Sequence, residues 1–190
     1  FGTVTTFSTL AAIAGVTWIS SRIGKRKTFI IATSIMLFGS ILKWFCYDPM
    51  TTWIVILPAP FIAVGMGALF TLMGSMVADV CDLDELETGE RREGMFGAIY
   101  WWMVKLGMAL AFGASGFLLN ATGFVVDFGG AQTSSTFFWM RVVDVGIPAA
   151  GCIIAIFSVA SFKITEERSY EIRSELEKRR SKTIISEKVS

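Results

Sequence analysis

Two groups of residues in the chain have types and spacings that could do chemistry. One is Lys105, the single charged side chain within a long apolar stretch, and the other is the charged segment 79–93 that precedes this stretch. If the stretch crosses a membrane, a central lysine costs about 3 kcal/mol unless it faces a polar cavity or an acid. Lys105 lies about eleven residues, or roughly 16 Å, past the start of the span, near its middle. We expect it either to line a substrate path or to pair with an acid outside this chain.

Trp101 lies one helical turn before Lys105, on the same helix face. An indole ring can stack on the C–H face of a sugar ring, and a lysine ammonium can donate hydrogen bonds to sugar hydroxyl groups. Simple packing of the indole against other helices is an equally good interpretation. The pair is our candidate substrate-binding site.

The charged segment 79–93 contains seven acidic residues against two arginines. If the segment is helical, Asp79 and Asp82 lie on one face and Glu85 lies one turn further along. Acids at a membrane surface attract basic groups on the same side, and the turn Arg22–Lys27 supplies four of them. An ion-pair cluster that forms in one conformation and breaks in another would act as a gate. A solvated acidic loop is the alternative.

The composition indicates that these residues are held by membrane-spanning helices. Hydrophobic residues make up 53% of the 190 residues and charged residues only 17%, and the charges cluster between long neutral stretches. This pattern is typical of an all-α membrane protein with several spans. A span needs about 20 predominantly apolar residues. The stretches of sufficient length are 2–21, 28–47, 52–78, 95–120 and 143–162.

Two polar regions lie outside these spans. Residues 123–140 are predicted to form an external loop or a short re-entrant piece, and residues 163–190 a solvated, charged tail with a surface helix over 166–180. Lys and Arg are concentrated after the first, third and fifth spans, with four, two and eight residues. Because short loops rich in Lys and Arg stay in the cytoplasm, the tail is predicted to be cytoplasmic and Phe1 external. An external start and five spans lead us to expect at least one further span before this chain.

Two features of the spans have mainly structural interpretations. Lys43 lies near the external end of its span, where its side chain can reach the interface at little cost. The third span carries small residues at four-residue spacing, which allow close helix approach or form a sliding surface. This stripe consists of Ala63, Gly67, Thr71, Ser75 and Asp79.

Several classes of function are disfavoured by what the sequence lacks. It contains no histidine, the usual zinc ligand and general base, and its three cysteines, Cys46, Cys81 and Cys152, show no metal-binding spacing. A net charge of +1 gives no field that would attract nucleic acid. No acid lies at mid-depth in these spans, so a membrane enzyme would lack a catalytic constellation. We expect a non-enzymatic protein, without a metal or cofactor bound in this chain.

The charged segment and the residues around Lys105 resemble the glycoside–pentoside–hexuronide:cation symporters, a family of the major facilitator superfamily. The similarity extends into the external loop and to the basic turn between the first two spans. It implies that the five spans are helices eight to twelve of a twelve-helix carrier. The residues that carry it are Ala78–Asp82, Glu85, Thr88–Gly94, Val104–Gly107, Gly123, Gln132, Arg141, Pro148 and Arg22–Lys27.

The resemblance also implies roles for individual residues. The family's counterparts of Lys105 and Trp101 face sugar, and its counterparts of the loop acids and of Arg91 belong to the cytoplasmic gate. The family's cation ligands and main sugar-binding acids lie in the N-terminal half, outside this chain, so the coupling Na⁺ or H⁺ would bind there. The gate candidates are therefore Asp79, Asp82, Glu85 and Arg91.

We therefore predict a secondary active transporter, an integral protein of a bacterial plasma membrane, that couples uptake of a sugar or glycoside to a cation by alternating access. Its partners would be the substrate, the lipid bilayer and the N-terminal half of the same carrier. A carrier of another amphiphilic solute, such as a lysolipid, and a non-transporting sensor relative are the alternatives. Leu83, Glu87 and Ser21 differ from the family's usual residues, which concerns specificity and gate strength.

Overall fold

A computed structural model describes the backbone of residues 2–47, 52–162 and 164–189 and the side chains of 13–47, 53–162 and 164–181. Within this part the chain is all-α, without a strand, as predicted. Two short 3₁₀ helices, Thr52–Ile56 and Val126–Phe128, accompany the α-helices. In chain order the α-helices are α1 (Gly2–Ile23), α2 (Lys25–Phe45), α3 (Ala59–Thr88), α4 (Glu93–Ala121), α5 (Ser134–Ala160) and α6 (Glu166–Val189).

Four helical segments of the described chain are long and apolar enough to cross a membrane. They are α2, the segment Trp53–Thr88 that includes α3, α4 and α5. The predicted first span, 2–21, forms α1 but is not among these four, so its role as a span stays a prediction. The numbering of the helices as eight to twelve of a larger carrier also stays a prediction.

The core of the bundle lies where α1, α2, α3 and α5 meet. Phe29 on α2 is its largest fully buried side chain, and each of the other three helices contributes residues to the same cluster. The buried cluster consists of Val16, Phe29, Ala32, Ala68, Leu72, Met76 and Val159. Gly39 of α2 and Gly65 of α3 permit the close approach of these two helices, because a Cβ atom at either position would lie only 2.6 Å from Cβ of Phe61 or 2.3 Å from Cβ of Met36. Small residues thus let the two helices pack backbone to backbone, as is common in membranes.

A single residue, Gly24, separates α1 from α2. Its φ of +89° lies in the region that side chains disfavour, and its N–H donates to the carbonyl oxygen of Ser20 at 3.0 Å. A Cβ atom at Gly24 would also meet Oε2 of Glu166 at 3.0 Å. This turn places the start of α2 beside the end of α3 and the start of α6. We call this end of the bundle the basic end.

The charged segment 79–93 is mostly helical. Helix α3 continues to Thr88, and only residues 89–92 form a loop before α4. Nothing between Asp79 and Thr88 breaks a helix, whereas Gly89 ends it by adopting a left-handed conformation in which its N–H donates to the carbonyl of Glu85 at 2.9 Å. The predicted acids therefore stand on a rigid helix that extends past the apolar span.

The region 123–140, predicted to be an external loop or a short re-entrant piece, forms a loop only in its first part. Helix α5 begins at Ser134 rather than at 143, because the side chain of Thr133 caps it by accepting a hydrogen bond from the N–H of Thr136. Gln132 holds the preceding loop together, since its side-chain amide donates to the carbonyls of Val125 and Gly129 at 2.6 and 3.0 Å.

The tail was predicted to be a solvated, charged stretch with a surface helix over 166–180, and its described part contains this helix, although one helix face is buried rather than solvated. Helix α6 packs against the end of α3, and its side chains Ile172 and Leu176 are only 1% and 5% exposed. The signal was present in the sequence: Ser169, Ile172 and Leu176 follow the three-to-four-residue spacing of a helix face within an otherwise charged stretch. The many charges on the other faces obscured this short apolar stripe.

Helix α4 differs from the others because none of its residues is buried within the described structure. Its main contacts are with α3, to which the short loop 89–92 joins it. Many of its large apolar side chains are exposed, among them Trp101, Trp102 and Phe112. The helix that carries Lys105 therefore presents open faces along its whole length.

Candidate functional site

Asp79 is the centre of an ion-pair cluster at the basic end. It lies six turns into α3 and is only 4% exposed. Its carboxylate accepts hydrogen bonds from the Lys25 ammonium at 2.7 and 2.8 Å, from the Arg173 guanidinium at 2.7 Å and from the Ser169 hydroxyl at 2.9 Å. A buried carboxylate is tolerated only when it is paired and hydrogen-bonded in this way. Asp79 thereby joins α2, α3 and α6.

The other two predicted acids continue the cluster along α3. Asp82 lies 3.4 Å from Nε of Arg173, and Glu85 accepts two hydrogen bonds from Arg180 at 2.7 and 2.9 Å. Sequence reasoning placed the partners of these acids in the turn Arg22–Lys27. In the described structure that turn contributes Lys25, and the remaining cations come from α6. We call Lys25, Asp79, Asp82, Glu85, Arg173 and Arg180, with Ser169, the Asp79 cluster.

Arg91, the fourth predicted gate residue, lies at the rim of this cluster. Its guanidinium forms a hydrogen-bonded pair with Glu93 at 2.8 Å and lies 3.8 Å from Glu85, and its side chain is half exposed. The hydrogen bonds that Arg91 donates to the Glu93 carboxylate raise the pKa of Arg91. The neighbouring Arg92 makes a two-pronged contact with Asp84, which raises the pKa of Arg92 in the same way. These two pairs fix the short loop between α3 and α4.

The basic turn divides into inward and outward side chains. Lys25 points to Asp79, its backbone N–H donates to Glu166 at 3.1 Å, and Arg26 donates to the carbonyl of Ala160 at the end of α5. Arg22 and Lys27 are exposed, and the guanidinium of Arg22 lies over the ring of Trp18, 5.3 Å from its centroid. Of the four basic residues of this turn, only Lys25 therefore belongs to the Asp79 cluster.

A polar cavity of about 220 Å³ lies against the Asp79 cluster. Hydroxyl groups and the two cations that bind Asp79 line most of it. Its lining residues are Thr17, Ser20, Ser21, Lys25, Glu166, Ser169, Tyr170 and Arg173. The cavity is large and polar enough to hold several water molecules, which reduces the cost of separating the charges.

Lys105 and Trp101 lie near the middle of α4, away from the Asp79 cluster. Lys105 is about 18 Å along the helix axis from Glu93. Both side chains are exposed, and the indole of Trp101 contacts the ring of Tyr100 edge to face at 5.4 Å. No described carboxylate lies within ion-pair distance of Lys105. Within the described structure, Lys105 and Trp101 lie near each other on α4 but near none of the other candidate site residues. Their role in substrate binding stays a prediction.

The opposite end of the bundle carries a second group of charges that sequence reasoning missed. Lys43 was expected to reach the interface by itself, but its ammonium pairs with Asp144 of α5 at 2.6 Å. The hydroxyl of Tyr47 donates to the same carboxylate, and Arg141 donates to the backbone carbonyl of Tyr47 at 2.5 Å. These residues join the end of α2 to α5. The sequence shows a cation, Lys43, and an acid, Asp144, on two different spans, but it does not show that these spans are neighbours.

The described side chains contain no group of three or more Cys, Asp or Glu that could hold a metal ion.

Comparison with known proteins identifies the class of this chain. A family described as MFS/sugar transport protein matches residues 1–166. An uncharacterized symporter of Synechocystis sp. is 36% identical over 64% of this chain and 23% of its own length. A glucuronide carrier protein homolog of Escherichia coli is 24% identical over 90% of the chain and 37% of its own length. An isoprimeverose transporter of Lactiplantibacillus pentosus is 24% identical over 82% of the chain and 32% of its own length.

The chain thus spans less than two fifths of the length of each of these relatives. No solved structure matches it. The four apolar helices, the family match over most of the chain and the relatives named as symporters or sugar carriers agree with one another and with the resemblance found in the sequence. The chain is an integral membrane protein and belongs to the MFS/sugar transport protein family of transporters.

Proposed function

We propose that this chain forms part of a cation-coupled symporter that moves a sugar or glycoside by alternating access. Substrate binds near the midplane of the membrane, between this chain and the remaining half of the carrier. The coupling cation, Na⁺ or H⁺, binds outside this chain. The carrier lies in a bacterial plasma membrane with α6 on the cytoplasmic side, because the basic end holds most of the Lys and Arg residues.

The observation that carries the proposal is the position of Lys105. It is the one charged residue near the middle of α4, it is exposed, and no described carboxylate pairs with it. A lysine at this depth costs about 3 kcal/mol if it faces lipid. A polar substrate path beside α4 removes that cost.

The chemistry of this helix face fits a hydroxylated solute. The Lys105 ammonium has three hydrogen-bond donors and a positive charge, so it can bind hydroxyl oxygens or a carboxylate. The ring of Trp101, one turn nearer the basic end, offers a flat apolar surface for a sugar ring. Relatives named for a glucuronide, which carries a carboxylate, and for isoprimeverose, a sugar, support both modes of binding.

The Asp79 cluster closes the cytoplasmic side in this proposal. Asp79, Asp82 and Glu85 hold the charged face of α6 against α3, and Arg91 lies at the rim toward α4. Water in the adjoining cavity can solvate the charges when these pairs separate. A cluster that is well paired when closed and hydrated when open can change state without leaving a charge in a dry environment.

Replacing Lys105 by Ala in the full-length carrier tests the proposal. Reconstituted Lys105→Ala protein should lose counterflow of labelled sugars, because the donor and the charge that orient the substrate are gone. Lys105→Arg should retain part of it. Lys178→Ala is the matched control, since Lys178 is exposed on α6 and no described carboxylate pairs with it.

Insertion of each variant is checked by its yield in the membrane fraction. Unchanged sugar counterflow in inserted Lys105→Ala protein contradicts the site. A parallel measurement with a labelled lysophospholipid separates the sugar carrier from a carrier of amphiphilic lipids. Absence of counterflow of every labelled solute in the wild type would favour a non-transporting relative.

A further inference from the structure

Arg22 and Lys27 form an outward-facing cationic pair that the Asp79 cluster does not use. They stand on either side of Gly24, at the end of α1 and the start of α2, and both are exposed. No described carboxylate lies within ion-pair distance of either, although Lys25 in the same turn is fully engaged with Asp79. Two neighbouring cations without acidic partners repel each other and attract an anion.

An apolar groove continues from this pair toward the middle of the bundle. Arg22 and Lys27 line it together with Ile23, Ile30 and Ile31, and its volume is about 510 Å³. Ile30 and Ile31 follow Lys27 on α2 and lie about 4.5–6 Å deeper along the helix axis. The groove therefore has a charged mouth at the helix ends and a hydrocarbon floor below it.

The side chain of Trp18 adds a marker of depth. It is exposed on α1, one turn before Arg22, and stacks under its guanidinium. Exposed tryptophan with a neighbouring cation is typical of the boundary between the headgroups and the acyl chains of a bilayer. The mouth of the groove thus lies at the level of lipid phosphates, and its isoleucines lie at the level of acyl chains.

We infer that this groove binds an anionic phospholipid of the leaflet at the basic end, with its phosphate between Arg22 and Lys27 and an acyl chain along the isoleucines. The two charges favour an anionic over a zwitterionic headgroup, and the apolar floor favours a lipid over a free phosphate ion. The cytoplasmic leaflet, where the basic end is predicted to lie, is the leaflet rich in anionic lipids. The inference does not depend on which solute the carrier moves.

The test measures retention of labelled phosphatidylglycerol by the purified full-length carrier, with labelled phosphatidylcholine as the zwitterionic reference. Arg22→Gln and Lys27→Gln should each weaken phosphatidylglycerol binding about fivefold, and the double variant about 25-fold, because each surface cation contributes about 1 kcal/mol. Lys178→Gln removes the same charge from the same side of the protein, away from the groove, and should leave binding unchanged.

Two results would overturn the inference: equal retention of phosphatidylglycerol by the double variant and the wild type, or equal losses of both lipids. Displacement of phosphatidylglycerol by millimolar inorganic phosphate as effectively as by excess lipid would also overturn it, since it would show a site for the ion alone. Photoactivatable phosphatidylglycerol supplies a measurement on the wild type. It should cross-link within residues 18–31, and a groove covered by another helix of the carrier would show no cross-link there.

Discussion

Replacement of Asp79 by Asn should release α6 from the basic end of the bundle. Asp79 is 4% exposed and accepts hydrogen bonds from Lys25, Arg173 and Ser169. The neutral amide keeps the shape but removes the charge that two cations share. Breaking a fully buried ion pair costs about 3–5 kcal/mol, and an exposed pair contributes about 0–1 kcal/mol. The side chains of Lys25 and Arg173 are 18% and 46% exposed, so we expect about 2 kcal/mol.

Accessibility of a cysteine in the α6 contact measures this loss. Leu176 is buried in the contact between α6 and α3 and is not a member of the Asp79 cluster. Leu176→Cys therefore reports docking of α6 without altering the ion pairs of the cluster. The background replaces the buried native cysteines Cys46, Cys81 and Cys152 by Ala. When opening and closing of α6 are fast, the maleimide labelling rate follows the open population. About 2 kcal/mol corresponds to a labelling rate about 30-fold higher in Asp79→Asn.

Asp84→Asn is the matched control for this measurement. Asp84 lies on the same stretch of α3, but its described partner is Arg92 in the adjoining loop rather than a residue of α6. Its replacement should leave the labelling rate of the Leu176→Cys reporter unchanged. Arg173→Gln should raise the rate, and its effect should not add to that of Asp79→Asn, because both remove the same pair. Unchanged labelling in Asp79→Asn would refute the assignment of Asp79 as the residue that holds α6.

Two further predictions concern the other end of the bundle and the first turn. Lys43→Gln leaves Asp144 without its cation and should lower the free energy of unfolding of the full-length carrier by about 1 kcal/mol, since both side chains are partly exposed. Thermal unfolding measures this loss. The double variant in which Lys43 is replaced by Asp and Asp144 by Lys should recover stability. Gly24→Ala should cost about 1–2 kcal/mol, because φ is +89° and the new Cβ atom meets Glu166 at 3.0 Å. An unfolding midpoint equal to that of the wild type would contradict the second prediction.

The apolar helices were predictable because composition and length suffice to recognise them. Long neutral stretches bounded by charged turns predicted α2, α3, α4 and α5. Local motifs such as the charged segment 79–93 predicted the family, and the family match over residues 1–166 confirms it. The ends of the helices were less predictable. Helix α3 continues past its apolar part because no residue from Asp79 to Thr88 breaks it before Gly89 does, and α5 begins early because Thr133 caps it. Hydropathy records the membrane boundary, whereas caps and breakers decide where a helix ends.

The partners of the charged residues could not be predicted, because they depend on which helices are neighbours. Asp79 was expected to pair with the basic turn and does so through Lys25, but Arg173 comes from a tail that was predicted to be solvated. Lys43 and Asp144 are about a hundred residues apart in sequence and meet only because α2 packs against α5. A single sequence shows which charges need partners but not which helices supply them.

The described pairs of the Asp79 cluster join α2, α3 and α6 of this chain. Contacts within one part of a carrier stabilise that part, whereas a gate between two parts needs residues that can exchange partners. Asp79 has three hydrogen-bonded partners, but Asp82 has one described pair, to Arg173 at 3.4 Å. Asp82 can exchange at the lowest cost, because the fewest bonds must break.

Asp82→Asn should therefore change transport while leaving α6 docked. We expect the rate of counterflow by the full-length carrier to change severalfold, and the labelling rate of Leu176→Cys to stay within about twofold of the wild type. Asp79→Asn should show the large change in labelling described above. A large rise in labelling with Asp82→Asn would show that this carboxylate, too, mainly holds α6 in place. Unchanged counterflow would remove Asp82 from the gate and leave Arg91, the half-exposed residue at the rim of the Asp79 cluster, as the gate candidate best placed to contact the other half.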